Sequence, residues 1–321
     1  MNTPLRLGVL RLVDSAPAVL AEADGLFADE GLDVRLLVEP SWANIADKLA
    51  WGALDAAIIL TPLALAAAAG LRGPRTDLVV PMGISQGGNA VVVSNDVAAA
   101  LGGAPMDAPA AGRAFAGWLS RQPAPPRFAV VHVFSTHNLL FRDWLASAGI
   151  DPDREVDIVI VPPQRVTRSL AEGEITGFCA GAPWGDYAAA LGVGRVVLGS
   201  SAIRPGHAEK CLAIATAFAR SHADDSAALV RALRRAQAAC EVESRAGALA
   251  HLLAERLDLP EEASRAALPG GAGIERIAFA ASADLAAAEV AWTCAQMQRW
   301  GWLPNDDATA ALVAAVFRCG G

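Results

Sequence analysis

Four residues of this chain combine side-chain chemistry and placement suited to holding a small ligand: Trp42, Asn89, His137 and Lys210. Trp42 follows Glu39-Pro40-Ser41 after a strand-like run, Val34 to Val38. Ser41 has the signature of a helix N-cap, which puts Trp42 in a first helical turn just past the carboxyl end of a strand. Open α/β sheets bind ligands at that edge. The indole offers a flat wall and one N–H donor. Asn89 lies in Gln86-Gly87-Gly88-Asn89, where Gly88 allows backbone to approach a ligand closely and the amide brings two donors. His137 follows Ser135-Thr136 at the start of a helix, where free backbone N–H groups and the helix dipole favour anions. Lys210 sits in Pro205-Gly206-His207-Ala208-Glu209-Lys210, read here as a loop. Each has a structural alternative: Trp42 as a core residue with Ile45 and Leu49, Asn89 as a turn residue, His137 as a surface helix start, Lys210 as a solvated lysine. Together they form a donor set, which a planar anion bearing only acceptors, such as nitrate or nitrite, requires. Bicarbonate carries an O–H and would need an acceptor as well.

The elements that must position these residues alternate strand and helix. Leu5–Leu10, Val34–Val38, Ala56–Leu60, Leu78–Ile84 and Ala90–Ser94 read as strands, with helices over Ala16–Asp29, Trp42–Trp51 and Pro62–Ala69. That rhythm implies a mostly parallel sheet with helices on its faces. Residues 102–127, rich in Gly, Pro and Ala, lead into a second such unit. Its strands are Phe128–Val133, Asp157–Val161 and Gly177–Ala180; its helices are His137–Ala148 and Gln164–Ala171. Val196–Gly199 is one more strand that could return the chain to the first unit. Ser226–Glu243, Ala246–Leu257, Ala283–Trp300 and Asp307–Phe317 carry helical spacing. The expected fold is α/β, a two-lobed, type II periplasmic-binding-protein-like architecture with a helical C-terminal region. Lobe I takes residues 1–90 and 197–321, lobe II residues 91–196, and ligand binds in the cleft between them.

Composition excludes several classes. The 321 residues suffice for two lobes, and with 54% hydrophobic and 19% charged residues the chain is a compact globular one. A net charge of −8 with no dense Lys/Arg run argues against direct nucleic-acid binding. Cys179, Cys211, Cys240, Cys294 and Cys319 are scattered with no C-x-x-C, so reduced thiols are expected and no metal site is read. The longest uncharged apolar stretch, Ala56 to Leu71, is short for a span and contains Pro62 and Gly70, so no membrane insertion is expected. Leu5 is preceded only by Met1-Asn2-Thr3-Pro4, with no export-signal pattern. A cytoplasmic protein is therefore expected, periplasmic if a signal peptide has been removed. No nucleophile elbow, P-loop, H-E-x-x-H or dinucleotide fingerprint is present, so no catalytic residue, enzymatic activity or cofactor is expected. His207-Ala208-Glu209 is a possible acid/base pair but reads more simply as a surface loop. Asp186 and Tyr187, after Trp184, could reach the cleft.

Several segments resemble one family. Gly25-Leu26-Phe27-Ala28-Asp29-Glu30-Gly31 is typical of the wider group of nitrate, sulfonate and thiamine-precursor binding proteins. Pro40-Ser41-Trp42-Ala43-Asn44, Gly87-Gly88-Asn89, Ser135-Thr136-His137-Asn138 and Val159-Ile160-Val161-Pro162-Pro163-Gln164 narrow this. Together they resemble the NrtA/CmpA nitrate- and bicarbonate-binding proteins of ABC transporters and, within that family, the NasS-like cytoplasmic nitrate/nitrite sensors. The resemblance implies that Trp42, Asn89, His137 and Lys210 hold the anion, with Gly88 and Trp184 beside them. It also implies a partner: an RNA-binding, NasT-like antitermination regulator for a sensor, or an ABC permease for a transport receptor. Where the family reads Gly-Glu-Pro-Trp, this chain reads Gly181-Ala182-Pro183-Trp184. Ala182 removes a carboxylate that could ligate a metal or accept from bicarbonate. A metal-free cleft preferring nitrate or nitrite is therefore expected.

Overall fold

The computed structural model describes residues 4–103, 107–279 and 284–317. Strands β1 (Leu5–Val9), β2 (Val34–Val38), β3 (Ala56–Leu60), β4 (Leu78–Gly87), β5 (Asn89–Ser94), β6 (Arg127–Val130), β7 (Asp157–Ile160), β8 (Gly177–Gly181), β9 (Gly194–Gly199), β10 (Ala208–Ala215) and β11 (Ile277–Ala278) divide between two sheets. The first runs in the order β11-β4-β10-β3-β1-β2 and the second β7-β6-β8-β5-β9. In each, three parallel strands (β2-β1-β3 and β7-β6-β8) are extended by antiparallel ones. This is the two-lobed α/β, periplasmic-binding-protein-like fold expected.

The strands form where apolar runs are cut by glycine and proline. β3 is buried at every position because helices cover both faces of its sheet. The helix Trp42–Ala50 starts where Ser41 accepts from the Asn44 N–H at 3.2 Å, and it buries Trp42, Ile45, Ala46 and Leu49 on one stripe. The helix Thr136–Ser147 starts the same way: Ser135, not Thr136, is the cap, accepting from Asn138 N at 3.1 Å.

The chain crosses between sheets twice. It first passes from β4 to β5 through Gly87 and Gly88, whose φ values of 68° and 77° suit glycine. A carbon added to Gly88 would lie 3.2 Å from Ile277, so the site also needs the missing side chain. The return runs from β9 to β10. Both crossings are tied to the C-terminal region: Glu275 accepts from Gly88 N at 3.2 Å and from Ser200 Oγ at 3.0 Å, and Glu289 accepts from Ala208 N at 3.1 Å.

The structure departs from the sequence reading in places. Ala16–Asp29 is two helices, Ala16–Ala23 and Leu26–Asp29, because Gly25 takes a left-handed conformation between them. The strand read at Val196–Gly199 does not return to the first sheet; it is the edge strand β9 and pairs with β5. Cys179, Cys211, Cys240 and Cys294 are free thiols, and Cys319 lies outside the described residues. Ala283 also lies outside them; the helix read from it spans Ala287–Arg299. Among the described residues no helix is long and apolar enough to cross a membrane.

Candidate functional site

Lys210 is a strand residue, not a loop residue as the sequence suggested. It lies in β10, is fully buried, and pairs across the sheet with Leu60. The pairing of β10 with β4 slips between Ala208 and Lys210 and again between Lys210 and Cys211. Along a regular strand Glu209 and Lys210 would point to opposite faces. Irregularity of this kind re-aims side chains, and here Lys210 Nζ stands 2.5 Å from Glu209 Oε1. Lys210 Nζ is also 3.5 Å from Asp14 Oδ2 and 5.4 Å from the centre of the Trp42 ring, within cation–π range.

The other lobe supplies the opposing wall. Asn89 opens β5 opposite Gly181 at the end of β8 and donates through Nδ2 to Glu209 Oε2 at 2.6 Å. His137 Nε2 lies 3.6 Å from Glu209 Oε1, too long for a hydrogen bond. Thus Asn89, His137 and Lys210, scattered along the sequence, converge around Glu209, with Trp42 over Lys210. Asp14, one residue into the turn after β1, completes the group and accepts from the Ser85 hydroxyl. The two walls are also joined by Val13 N donating to Ala182 O at 3.1 Å and, at an exposed rim, by Gln164 Nε2 donating to Pro40 O at 2.8 Å.

Gly181 marks where these groups meet. A carbon added to it would lie 3.4 Å from both Asn89 Oδ1 and His137 Nε2, and 3.5 Å from Asp14 Oδ2. Among the described residues Asn89 Oδ1 and both His137 ring nitrogens have no hydrogen-bond partner, nor has Trp42 Nε1. Such buried orphans are rare in folded proteins and call for an explanation. If Gly181 floors a binding site, Gly181→Ala has a definite outcome. Its contacts would be ordinary ones and its φ is outside the left-handed region, so the fold is expected to tolerate the methyl. Ligand affinity is expected to fall at least about tenfold, or about 1.4 kcal/mol. Unchanged affinity in a titration would place the ligand elsewhere.

The charges are arranged unequally. Burial would raise the Glu209 carboxyl, but Lys210, with lesser help from His137 and His207, outweighs it and holds the group down to about 2. Burial raises Asp14 above the ordinary carboxylate range, Glu209 adds to this, and Lys210 and Ser85 offset it only in part. Burial also pushes His137 down to about 3 against the pull of Glu209. With its value lowered so far, His137 meets a ligand as a neutral imidazole, with one donor and one acceptor nitrogen. His207 is lowered by burial as well, and one of its nitrogens meets Ser200 Oγ at 2.9 Å.

One expectation about the cleft changes. It is not lined by donors alone: Glu209 takes up an Asn89 donor and the Lys210 charge, leaving Asn89 its acceptor. Ala182 removes one carboxylate, and Asp14 and Glu209 supply two others. The sequence hinted at both, Glu209 through His207-Ala208-Glu209, which is a buried crossing and strand rather than a surface loop, and Asp14 through its place after the first strand. Gly88 and Trp184 adjoin this group, and Trp184 Nε1 is, among the described residues, another buried donor without a partner. Gly88 O accepts from Ala182 N at 2.8 Å, and Trp184 packs edge-on against Tyr187 with ring centres 6.0 Å apart. Asp186 is raised to about 6 by burial and lines a small recess with Gly88, Ala182 and Glu275. Among the described residues no group of three or more His, Cys, Asp or Glu side chains could hold a metal ion.

Two sheet-built lobes joined by two crossovers, with buried polar side chains from both meeting at one point, define a two-lobed protein of the periplasmic-binding-protein type. The chain belongs to the NMT1-like family, whose model matches residues 1–254. It is 35% identical over 242 residues to the nitrate import ATP-binding protein NrtC of Synechocystis, an alignment covering 74% of this chain and 35% of that protein. It is 31% identical over 334 residues to the bicarbonate transport ATP-binding protein CmpC of Synechococcus elongatus, covering 98% of this chain and 48% of that one. The chain thus spans half or less of the length of these relatives. The crystal structure of the periplasmic nitrate-binding protein NrtA from Synechocystis superposes with a TM-score of 0.88 at 25% identity, covering 98% of this chain and 86% of that one.

Proposed function

We propose that this chain binds a small, singly charged planar oxyanion of the nitrate, nitrite and bicarbonate class between its lobes, without turnover. The observation that carries the reading is a set of buried atoms without partners among the described residues, Trp42 Nε1, Asn89 Oδ1 and the two His137 nitrogens, beside Lys210. The similarity to NrtA, NrtC and CmpC supports the ligand class. It also supports a role as the binding component of an importer, with a permease as partner and a periplasmic location, over the cytoplasmic one first expected. The sensor role with an RNA-binding, NasT-like partner rests on the sequence resemblance alone.

Thermal unfolding of the purified protein with nitrate, nitrite, bicarbonate with and without Ca²⁺, and chloride as control tests the ligand class. A ligand that binds only the folded state stabilises by RT ln(1 + [L]/Kd), about 2.7 kcal/mol at a hundredfold excess over Kd. A saturating shift with one or more of the three oxyanions, beyond that with chloride, is expected. No shift with any of them would sink the reading.

A further inference from the structure

We propose that Asp14 is a ligand-site residue and the proton acceptor of the site: binding of the anion is coupled to protonation of the Asp14 carboxylate. The inference rests on the oxyanion reading above and deepens it.

The argument starts from charge and distance. Among the described residues Lys210 is the one cation within contact of the cluster, and it stands 2.5 Å from Glu209 and 3.5 Å from Asp14. The groups facing Asp14 are Lys210 and Glu209 from β10, Ser85 from β4, and, across Gly181, Asn89 from β5 and neutral His137 from the helix Thr136–Ser147. An entering monoanion would put three negative charges around one lysine, all fully or nearly fully buried. Unpaired charge is costly in such surroundings, and a buried group sheds the cost by neutralising. Glu209 is poorly placed to do so, because Lys210 and the Asn89 amide both engage its oxygens. Asp14 has one hydroxyl donor and the more distant approach to Lys210. Its Oδ2 faces the same point at Gly181 as Asn89 Oδ1 and His137 Nε2. A proton there removes one repulsion and turns an acceptor into an O–H donor directed at the anion. Burial already biases Asp14 toward that form. The proton comes from solvent, one per anion bound, and no bond other than O–H is formed.

Linkage then sets the pH dependence. Where unliganded Asp14 is ionised, affinity falls about tenfold per pH unit as pH rises; where it is already protonated, affinity is flat. Asp14→Asn fixes a neutral group of the same shape.

The test is isothermal titration of the full chain with nitrate and with nitrite, which themselves do not titrate between pH 5.5 and 9.5. It uses buffers of different ionisation enthalpy so that proton uptake is read directly. Wild type is expected to take up protons approaching one per anion on the alkaline side, with Kd rising in step. Asp14→Asn is expected to abolish the uptake and flatten Kd to within a few-fold of the wild-type acid plateau. Its thermal unfolding confirms the fold independently. Binding without uptake at any pH, or uptake that persists in Asp14→Asn, overturns the inference and leaves the oxyanion reading intact. Should neither nitrate nor nitrite bind, the inference falls; bicarbonate binding alone would then keep the oxyanion reading.

Discussion

Lys210→Met is expected to weaken anion binding severely and to reverse the pH dependence that Glu209 gives to stability. In the wild type the Glu209 carboxyl is held to about 2, below its ordinary 4.5. Its ionised form is therefore favoured by folding. That stability is present above the ordinary value and is lost as pH falls toward 2. Lys210 is the largest of the charges that oppose burial. Methionine keeps much of the side chain's length and apolar stem but leaves Glu209 and Asp14 buried and facing one another with no cation in contact. Removing one partner of a buried pair costs about 3–5 kcal/mol, mostly because the other charge is stranded. Both carboxyls then relieve the strain by binding protons. The folded value of Glu209 rises above its unfolded one and that of Asp14, already raised, rises further, so the stability they contribute is present in acid and lost as pH rises. Urea denaturation at pH 5 and pH 8 reads this: the deficit of the variant relative to wild type is expected to widen toward pH 8. A deficit that is small, about 1 kcal/mol or less, at pH 8 would mean that the pair is hydrated and that the electrostatic account of the cleft is wrong. Nitrate affinity should fall by at least about a hundredfold, or about 2.7 kcal/mol.

The same residue shows where sequence reasoning stops. β2 and β3 were legible to the residue because their mainly apolar runs, bounded by Asp33 and Glu39 and by Asp55 and Thr61, carry their own limits. The start of β10 was not. Glu209-Lys210 opens it with two charges, and such a pair reads as solvated unless partners neutralise it. Those partners, Asp14, Asn89 and His137, arrive from three other elements and from both lobes. Burial of a charge is set by topology rather than by neighbours in sequence, so Asp14 was passed over although it is almost wholly buried. The cap at Ser41 and, to within one residue, the helix start at Thr136 were legible because capping is local. The convergence of Trp42, Asn89, His137 and Lys210 was suggested by side-chain chemistry and by family resemblance. That Glu209 would stand at its centre was not, because the slip in the β10–β4 pairing that aims it inward has no local sequence signal.

Glu209→Gln should separate the candidate ligands in opposite directions. The Glu209 carboxylate is itself a planar oxyanion group, held by Lys210 at 2.5 Å and by the Asn89 amide at 2.6 Å. It therefore engages two of the groups that an external anion would use. Neutralising it frees the lysine charge for ligand and removes one repulsion. Nitrate, which only accepts hydrogen bonds, is expected to bind more tightly, by about tenfold if one charge-assisted hydrogen bond is regained. Bicarbonate also donates one, and the acceptors within reach of Gly181 are Asn89 Oδ1, Asp14 and a His137 nitrogen, with Glu209 adjoining. If its O–H is received by Glu209, the glutamine weakens it, since one of two acceptor oxygens becomes an amide. The ratio of nitrate to bicarbonate affinity is expected to rise by well over tenfold on the substitution. Because Lys210 still has Asp14 at 3.5 Å, the variant is expected to fold. It is also expected to take up fewer protons per nitrate, because Asp14 then faces the anion without the Glu209 charge beside it. If both ligands instead weaken together, Glu209 serves to hold Asn89 and Lys210 in position, and the anion depends on that scaffold rather than competing with it.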